Sequence, residues 1–158
     1  MKKILLIISA IAISIAVEAA SSTPNGFTDD LGAAISSSKK SGKSVFAVFS
    51  GSDWCYWCKV LEQGYLSKKE FVNEASKKFE LVYIDMPRDK SLLSEKAQKN
   101  NPLLLKKYAI RGFPTVMFIK HDGSGIAAPR PAKDISPEEY AKVLAKEVEK
   151  FSREPKSK

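Results

Sequence analysis

Cys55 and Cys58 are the residues whose type and spacing can do chemistry in this chain. They are its two cysteines, three positions apart. They follow the apolar run Val45-Phe46-Ala47-Val48-Phe49 and open a helical pattern that carries Val60 and Leu61. A thiol at a helix start meets unpaired backbone N–H groups and the positive end of the helix dipole, and both favour the thiolate. A second thiol one helical turn on can close a disulfide with the first. The chemistry that follows is thiol–disulfide exchange: Cys55 attacks a disulfide and Cys58 resolves the mixed disulfide. Two other readings compete. A purely structural bridge would close a very small ring and remove little chain entropy. Half of a zinc site shared between chains would lack further soft ligands. Within one chain, two cysteines and one histidine, His121, cannot build a four-ligand Cys/His zinc site.

The neighbours of the cysteines suggest how a substrate is met. Trp54, Tyr56 and Trp57 form an aromatic cluster suited to docking unfolded or extended protein segments; for Trp54, plain packing against the helix is the competing reading. Lys59 favours a thiolate and Asp53 opposes it. No histidine lies between the cysteines. The Cys55 thiol pKa is therefore expected below a free thiol's ~8.5 but above the ~3.5 of the most strongly depressed thiols.

Several other features carry less. Gly42-Lys43-Ser44 has the ending of a phosphate-binding loop, but the glycine needed five residues earlier is Ser37, and the segment runs from helix into strand. His121, beside the turn Asp122-Gly123, reads as solvated. The lysine pairs at 39–40, 68–69, 77–78 and 106–107 lie among acids on helix faces, with no aromatic-rich basic stripe, so nucleic-acid binding is a poor reading.

The elements that must position the cysteines can be read in order. Thr28 is expected to cap a helix with Asp29 and Asp30 in its first turn, ended by Gly42. Val45–Phe49 is apolar without alternation, as in a central strand covered on both faces. Ser50–Asp53 turns into the helix that starts near Cys55, and Gly64 interrupts that helix. Ser67 and Glu70 read as a capping box for a stretch holding Phe71, Val72 and Ala75. Leu81–Ile84 is a second strand. A short helix is expected around Leu92–Ala97, then another for Leu103–Tyr108 with Asn101 as cap and Pro102 first. Thr115–Ile119 is a third strand, and Asp122-Gly123 a hairpin turn into a weak fourth strand near Ile126. Ser136-Pro137-Glu138-Glu139 starts a closing helix with Tyr140, Val143, Leu144, Val148 and Phe151 on one face. This order predicts an α/β fold with one parallel pair and late antiparallel strands.

Chain length and charge bound the rest. The 158 residues suit one domain, and 26 basic against 18 acidic residues give a net charge of +8. Lys2, Lys3, the 14-residue apolar run Ile4–Val17 and the small residues at 19–20 read as a secretory signal peptide, residues 1–19, cut after Ala19 or Ala20. That run would span about 21 Å as a helix, short of the roughly 30 Å hydrocarbon core, so an uncleaved anchor is the weaker reading. Its removal takes two lysines and one glutamate and leaves +7, a dispersed basic surface. Residues 20–26 are expected to form a loose leader, 27–151 the domain, and 152–158 a charged tail. A periplasmic or secreted location follows, where disulfides persist.

The motif Trp54-Cys55-Tyr56-Trp57-Cys58-Lys59 and, about 55 residues on, Tyr108-Ala109-Ile110-Arg111-Gly112-Phe113-Pro114-Thr115 together resemble the thioredoxin-like superfamily. Gly51-Ser52-Asp53 and Asn101-Pro102 resemble its secreted bacterial branch. The resemblance spans about Phe27 to Phe151. It implies a thioredoxin fold: a central mixed sheet of about four strands flanked by helices, here with an extra N-terminal helix. It implies a cis Pro114 facing the cysteines, and substrate pairing by the Phe113 backbone. It implies exchange with protein thiols and disulfides, recycling by a partner dithiol protein, no metal or organic cofactor, and a monomer not held in the membrane after signal cleavage. Taken from the residues alone, Pro114 is simply a proline entering a strand. Two departures stand out. Thioredoxins proper carry a buried acid six positions before the first cysteine, where this chain has Phe49; water or another group, such as Asp53, must then move the resolving proton. The dipeptide Tyr56-Trp57 matches neither thioredoxin nor the strong oxidases. These departures favour a reductase or exchange role over strong oxidation. A thioredoxin-fold binding or chaperone module with an idle disulfide is the alternative.

Overall fold

A computed structural model describes residues 22–153; the expected signal peptide and the end of the tail lie outside the described residues. Among the described residues no helix is long and apolar enough to cross a membrane. In chain order the elements are α1 (Leu31–Ser41), β1 (Ser44–Ser50), α2 (Tyr56–Leu61), a π turn (Glu62–Leu66), α3 (Lys69–Ala75), β2 (Phe79–Asp85), a 3-10 turn (Lys90–Leu92), α4 (Glu95–Lys107), β3 (Thr115–Ile119), β4 (Gly125–Ala127) and α5 (Pro137–Arg153).

The four strands lie in the order β2-β1-β3-β4. β1 runs parallel to β2 and antiparallel to β3, and β3 pairs antiparallel with β4. The unbroken apolar run of β1 is explained by its central place. Alternate side chains enter two separate cores. Phe46 and Val48 join Leu81, Tyr83, Val116 and Phe118 under α3 and α5. Val45, Ala47 and Phe49 join Val82, Ile84, Met117 and Ile119 on the face that takes Leu31 and Ala34 of α1. Phe46 lies within 6.0 Å of the Phe71 ring, 5.9 Å of Phe79 and 6.4 Å of Phe118, centroid to centroid.

Local signals held where they were short-range. Gly42 ends α1 in the left-handed region (φ 73°) with its N–H on the Ser38 carbonyl, a conformation that disfavours a Cβ. Ser136 and Glu139 form the reciprocal cap of α5: the Glu139 N–H donates to Ser136 Oγ and the Ser136 N–H to Glu139 Oε2.

Several expectations are corrected by longer-range contacts. Asp30, not Thr28, caps α1, its Oδ1 accepting from the Ala33 N–H. A cap's carbonyl must be free for the first helical bond; the Thr28 carbonyl instead accepts from the Tyr83 N–H (2.9 Å), and the Thr28 N–H donates to Leu81 O (3.0 Å). Thr28 thus adds a parallel bridge to the outer edge of β2. In the segment before it, Pro24 is buried and its carbonyl accepts from the Phe27 N–H, while Asn25 and Gly26 are exposed. Gly64 does not stop the active-site helix, which widens into the π turn, the Ser67 N–H reaching back to Glu62 O. The Ser67–Glu70 capping box is absent, because Ser67 closes that turn and Lys68 precedes α3 without a side-chain cap. The two short helices expected over residues 92–108 are one, α4, capped by Ser94 and running through Pro102. Pro102 removes one ladder hydrogen bond. Asn101, expected as a cap, is buried inside this helix and donates from Nδ2 to the Asp85 carbonyl at the end of β2. Val143 leaves the apolar face of α5 and is 37% exposed.

Candidate active site

β1 ends at Ser50, and the loop that follows delivers Cys55 as the residue capping α2. Its Sγ accepts from the Cys58 N–H at 3.2 Å, and its carbonyl accepts from the Lys59 N–H at 3.1 Å. One donor of the helix start, the Cys58 N–H, therefore points at this sulfur, while the Lys59 N–H closes the first turn on the carbonyl. Cys55 and Cys58 form a disulfide with their Cα atoms 5.2 Å apart. Cys55 is the more accessible sulfur residue, at 7% against 2%.

Trp54 is fixed from three sides. Its indole N–H donates to the Met86 carbonyl (2.9 Å), its ring meets the Phe113 ring edge-on at 5.7 Å, and the Arg88 guanidinium lies 5.9 Å from its centroid. A Cβ at Gly51 would come within 2.4 Å of the indole, so only glycine leaves room for this placement. Trp54 packs, and still leaves two fifths of its surface exposed. Tyr56 and Trp57 stand in solvent on the first turn of α2, edge-to-face at 5.2 Å. Across the site the Phe113–Pro114 peptide bond is cis. Arg130 donates from Nη2 to the Pro114 carbonyl at 2.6 Å, and Thr115 Oγ1 donates to the Gly112 carbonyl.

Asp53 has a structural task. Its carboxylate accepts from the backbone N–H groups of Arg88 and Asp89, tying the active-site loop to the segment after β2. Those bonds, the Asp89 N–H foremost, hold its carboxyl below the usual range. A carboxylate so committed is a poor acceptor for the resolving proton. Lys59 turns back and donates from Nζ to the Asp53 carbonyl at 3.0 Å.

Residues that sequence reasoning missed lie beneath the loop. Asp85, the last residue of β2, is buried and accepts from the Ser52 N–H and Oγ. The buried Tyr83 hydroxyl bonds both Ser50 Oγ (2.7 Å) and the Glu62 carboxylate (2.8 Å). Burial, mainly, and the nearby Asp85 charge push the Glu62 carboxyl up, against the opposing Tyr83 bond and Lys59. Burial likewise pushes the Tyr83 hydroxyl far up. Two signals point to this group: Asp85 ends an otherwise apolar strand, and Glu62 stands four residues after Cys58.

A pair of cysteines that can open and close as a disulfide at a helix start, beside a sheet of this order, is the working part of thioredoxin-fold proteins. The chain belongs to the thioredoxin-like domain family, whose model matches residues 31–147. A similar protein is the disulfide bond reductase DsbH of Chlamydia pneumoniae, 34% identical over 94 residues. That match covers 60% of this chain and 56% of the relative, so the chain spans little more than half of that protein's length. The solved structure of a DsbH oxidoreductase superposes with a TM-score of 0.65 at 26% identity, covering 87% of this chain and 95% of that one. A disulphide isomerase from Xylella fastidiosa Temecula1 shares the fold, with a TM-score of 0.52 at 23% identity over 73% of this chain and 86% of its own.

Proposed function

We propose that the protein is a periplasmic or secreted thiol–disulfide oxidoreductase that exchanges disulfides with protein substrates, in the reducing or exchange direction. The observation that carries this reading is the Cys55–Cys58 bridge at the start of α2, with the more accessible cysteine at the helix cap. Cys55 attacks a substrate disulfide; Cys58 then displaces the substrate and closes the bridge. Trp54, Tyr56 and Trp57 offer apolar contact beside the attacking sulfur, and the Phe113 backbone before Pro114 receives an extended segment by strand addition. Lys59 favours the thiolate, and Asp53 shapes the loop that carries it. A partner dithiol protein restores the reduced pair, and the protein works as a monomer free of the membrane. The reductase named in the Chlamydia pneumoniae relative supports the direction.

The deciding experiment replaces Cys58 with Ser and isolates mixed disulfides from the native host. Protein partners released by reductant are the expected result. No trapped partner, together with no turnover of a model disulfide, would instead favour a binding module with an idle bridge. Direction is read from the reduction potential. We expect a value in the reducing part of the range, below about −200 mV, and one near the −120 mV of the oxidising extreme would sink this preference.

A further inference from the structure

We propose that Glu62 is the group that takes the proton from the Cys58 thiol during resolution and hands it to solvent through a polar recess walled by the segment before α1. This rests on the exchange reading of the Cys55–Cys58 pair. The place of the missing strand acid is filled by buried Phe49, and the Asp53 carboxylate is already engaged by two backbone N–H groups. Glu62 is one helical turn beyond Cys58, its N–H donating to the Cys58 carbonyl. Residues four apart share a helix face at about 5–6 Å between Cβ atoms, within reach through one water. The carboxyl is half-buried, and Tyr83 anchors it at 2.8 Å.

The groups bearing on this carboxyl are few. β2 supplies Tyr83 and Asp85, and α2 supplies Lys59. α5 meets the π turn through Tyr140 against Tyr65. Burial and the Asp85 charge make the carboxylate a better base than an exposed one. Glu62 also lines an open recess of about 430 Å3 shared with Ser22, Pro24, Ser52, Lys59 and a second carboxylate, that of Asp53, which its backbone N–H bonds already engage. A proton accepted at the inner end therefore has a short way to water.

The step balances. In the mixed disulfide, the Cys58 S–H bond breaks and its proton goes to the Glu62 carboxylate. The Cys58 thiolate forms a bond to Cys55 Sγ, and the Cys55–substrate S–S bond breaks. The substrate thiolate leaves and takes a proton from water. Two electrons have passed from the dithiol to the substrate disulfide, and Glu62 releases its proton into the recess.

The test uses dithiobis(nitrobenzoate), which reports the two steps separately. The first thionitrobenzoate marks attack by Cys55; the second marks intramolecular displacement by Cys58. In Glu62→Gln, which keeps the shape and an acceptor for Tyr83, we expect the first phase within about twofold of the parent. The second phase should slow by about 10- to 100-fold near pH 6–7, at or below the low end of general-base effects because water also reaches the site. The deficit should narrow above about pH 8.5, where a thiol ionises unaided. Glu62→Asp should recover part of the rate. A second phase of parental rate and pH profile would overturn the proposal, as would equal slowing of both phases. Because the second phase is intramolecular and uses a small disulfide, it tests Glu62 even if no protein substrate is ever trapped; failure of the parent itself to release the second thionitrobenzoate would overturn the exchange reading instead.

Discussion

Cys55→Ser is expected to reduce disulfide exchange to the uncatalysed background while leaving the fold intact. The attacking species is a thiolate, and a serine hydroxyl stays protonated at neutral pH without a strong base beside it. The fold should survive for a specific reason. Cys55 caps α2 through its side chain, and serine is among the best residues at that place. The lost bridge closes a ring between residues three apart, so its entropic contribution is small. Near-parental circular dichroism, together with no reduction of insulin or a model disulfide, is the predicted outcome. An active Cys55→Ser protein would remove the thiol chemistry altogether and leave the exposed Tyr56–Trp57 pair as a binding surface.

Phe46→Ala is expected to give a large loss of stability. Phe46 is fully buried at the centre of the sheet, against the rings of Phe71, Phe79 and Phe118. Truncation of a buried phenylalanine costs about 3–5 kcal/mol, from lost transfer energy and the cavity left behind. Against a typical total of about 5–15 kcal/mol, this is a large fraction. Urea unfolding should show a strongly lowered midpoint with a nearly unchanged slope. A midpoint shift worth under about 1 kcal/mol would mean that the cluster relaxes around the gap.

The legible parts of this molecule were those set by neighbours in sequence. The continuous apolar run Val45–Phe49 announced a strand covered on both faces, and it is the central one. The Ser136–Glu139 pattern announced a reciprocal cap, which forms. The cysteine motif and the Pro114 motif, far apart in sequence, meet through the Trp54 and Phe113 rings. What sequence did not show was decided across the fold. Thr28 lost its capping role because β2 takes its carbonyl. Pro102 sits inside a helix whose neighbouring Asn101 is tied to the end of β2. The polar group of Glu62, Tyr83 and Asp85 comes from two elements about twenty residues apart, so no local pattern joins it. The bracing of the loop by the Asp53 carboxylate, through the Arg88 and Asp89 N–H groups, likewise joins segments far apart in sequence.

The bridge from Thr28 to Val82 also bears on how this protein avoids unwanted company. β2 is an edge of the sheet, and an exposed edge offers its N–H and C=O groups to any extended chain. Thr28 occupies two of those groups, at Leu81 and Tyr83, and so blocks the middle of that edge. A protein proposed to receive extended segments beside its thiol is at particular risk of being co-opted into their aggregates. Here the side of the sheet away from the cis-proline loop is stoppered by Thr28 of the same chain, so an incoming strand is turned away where pairing would only nucleate a fibre.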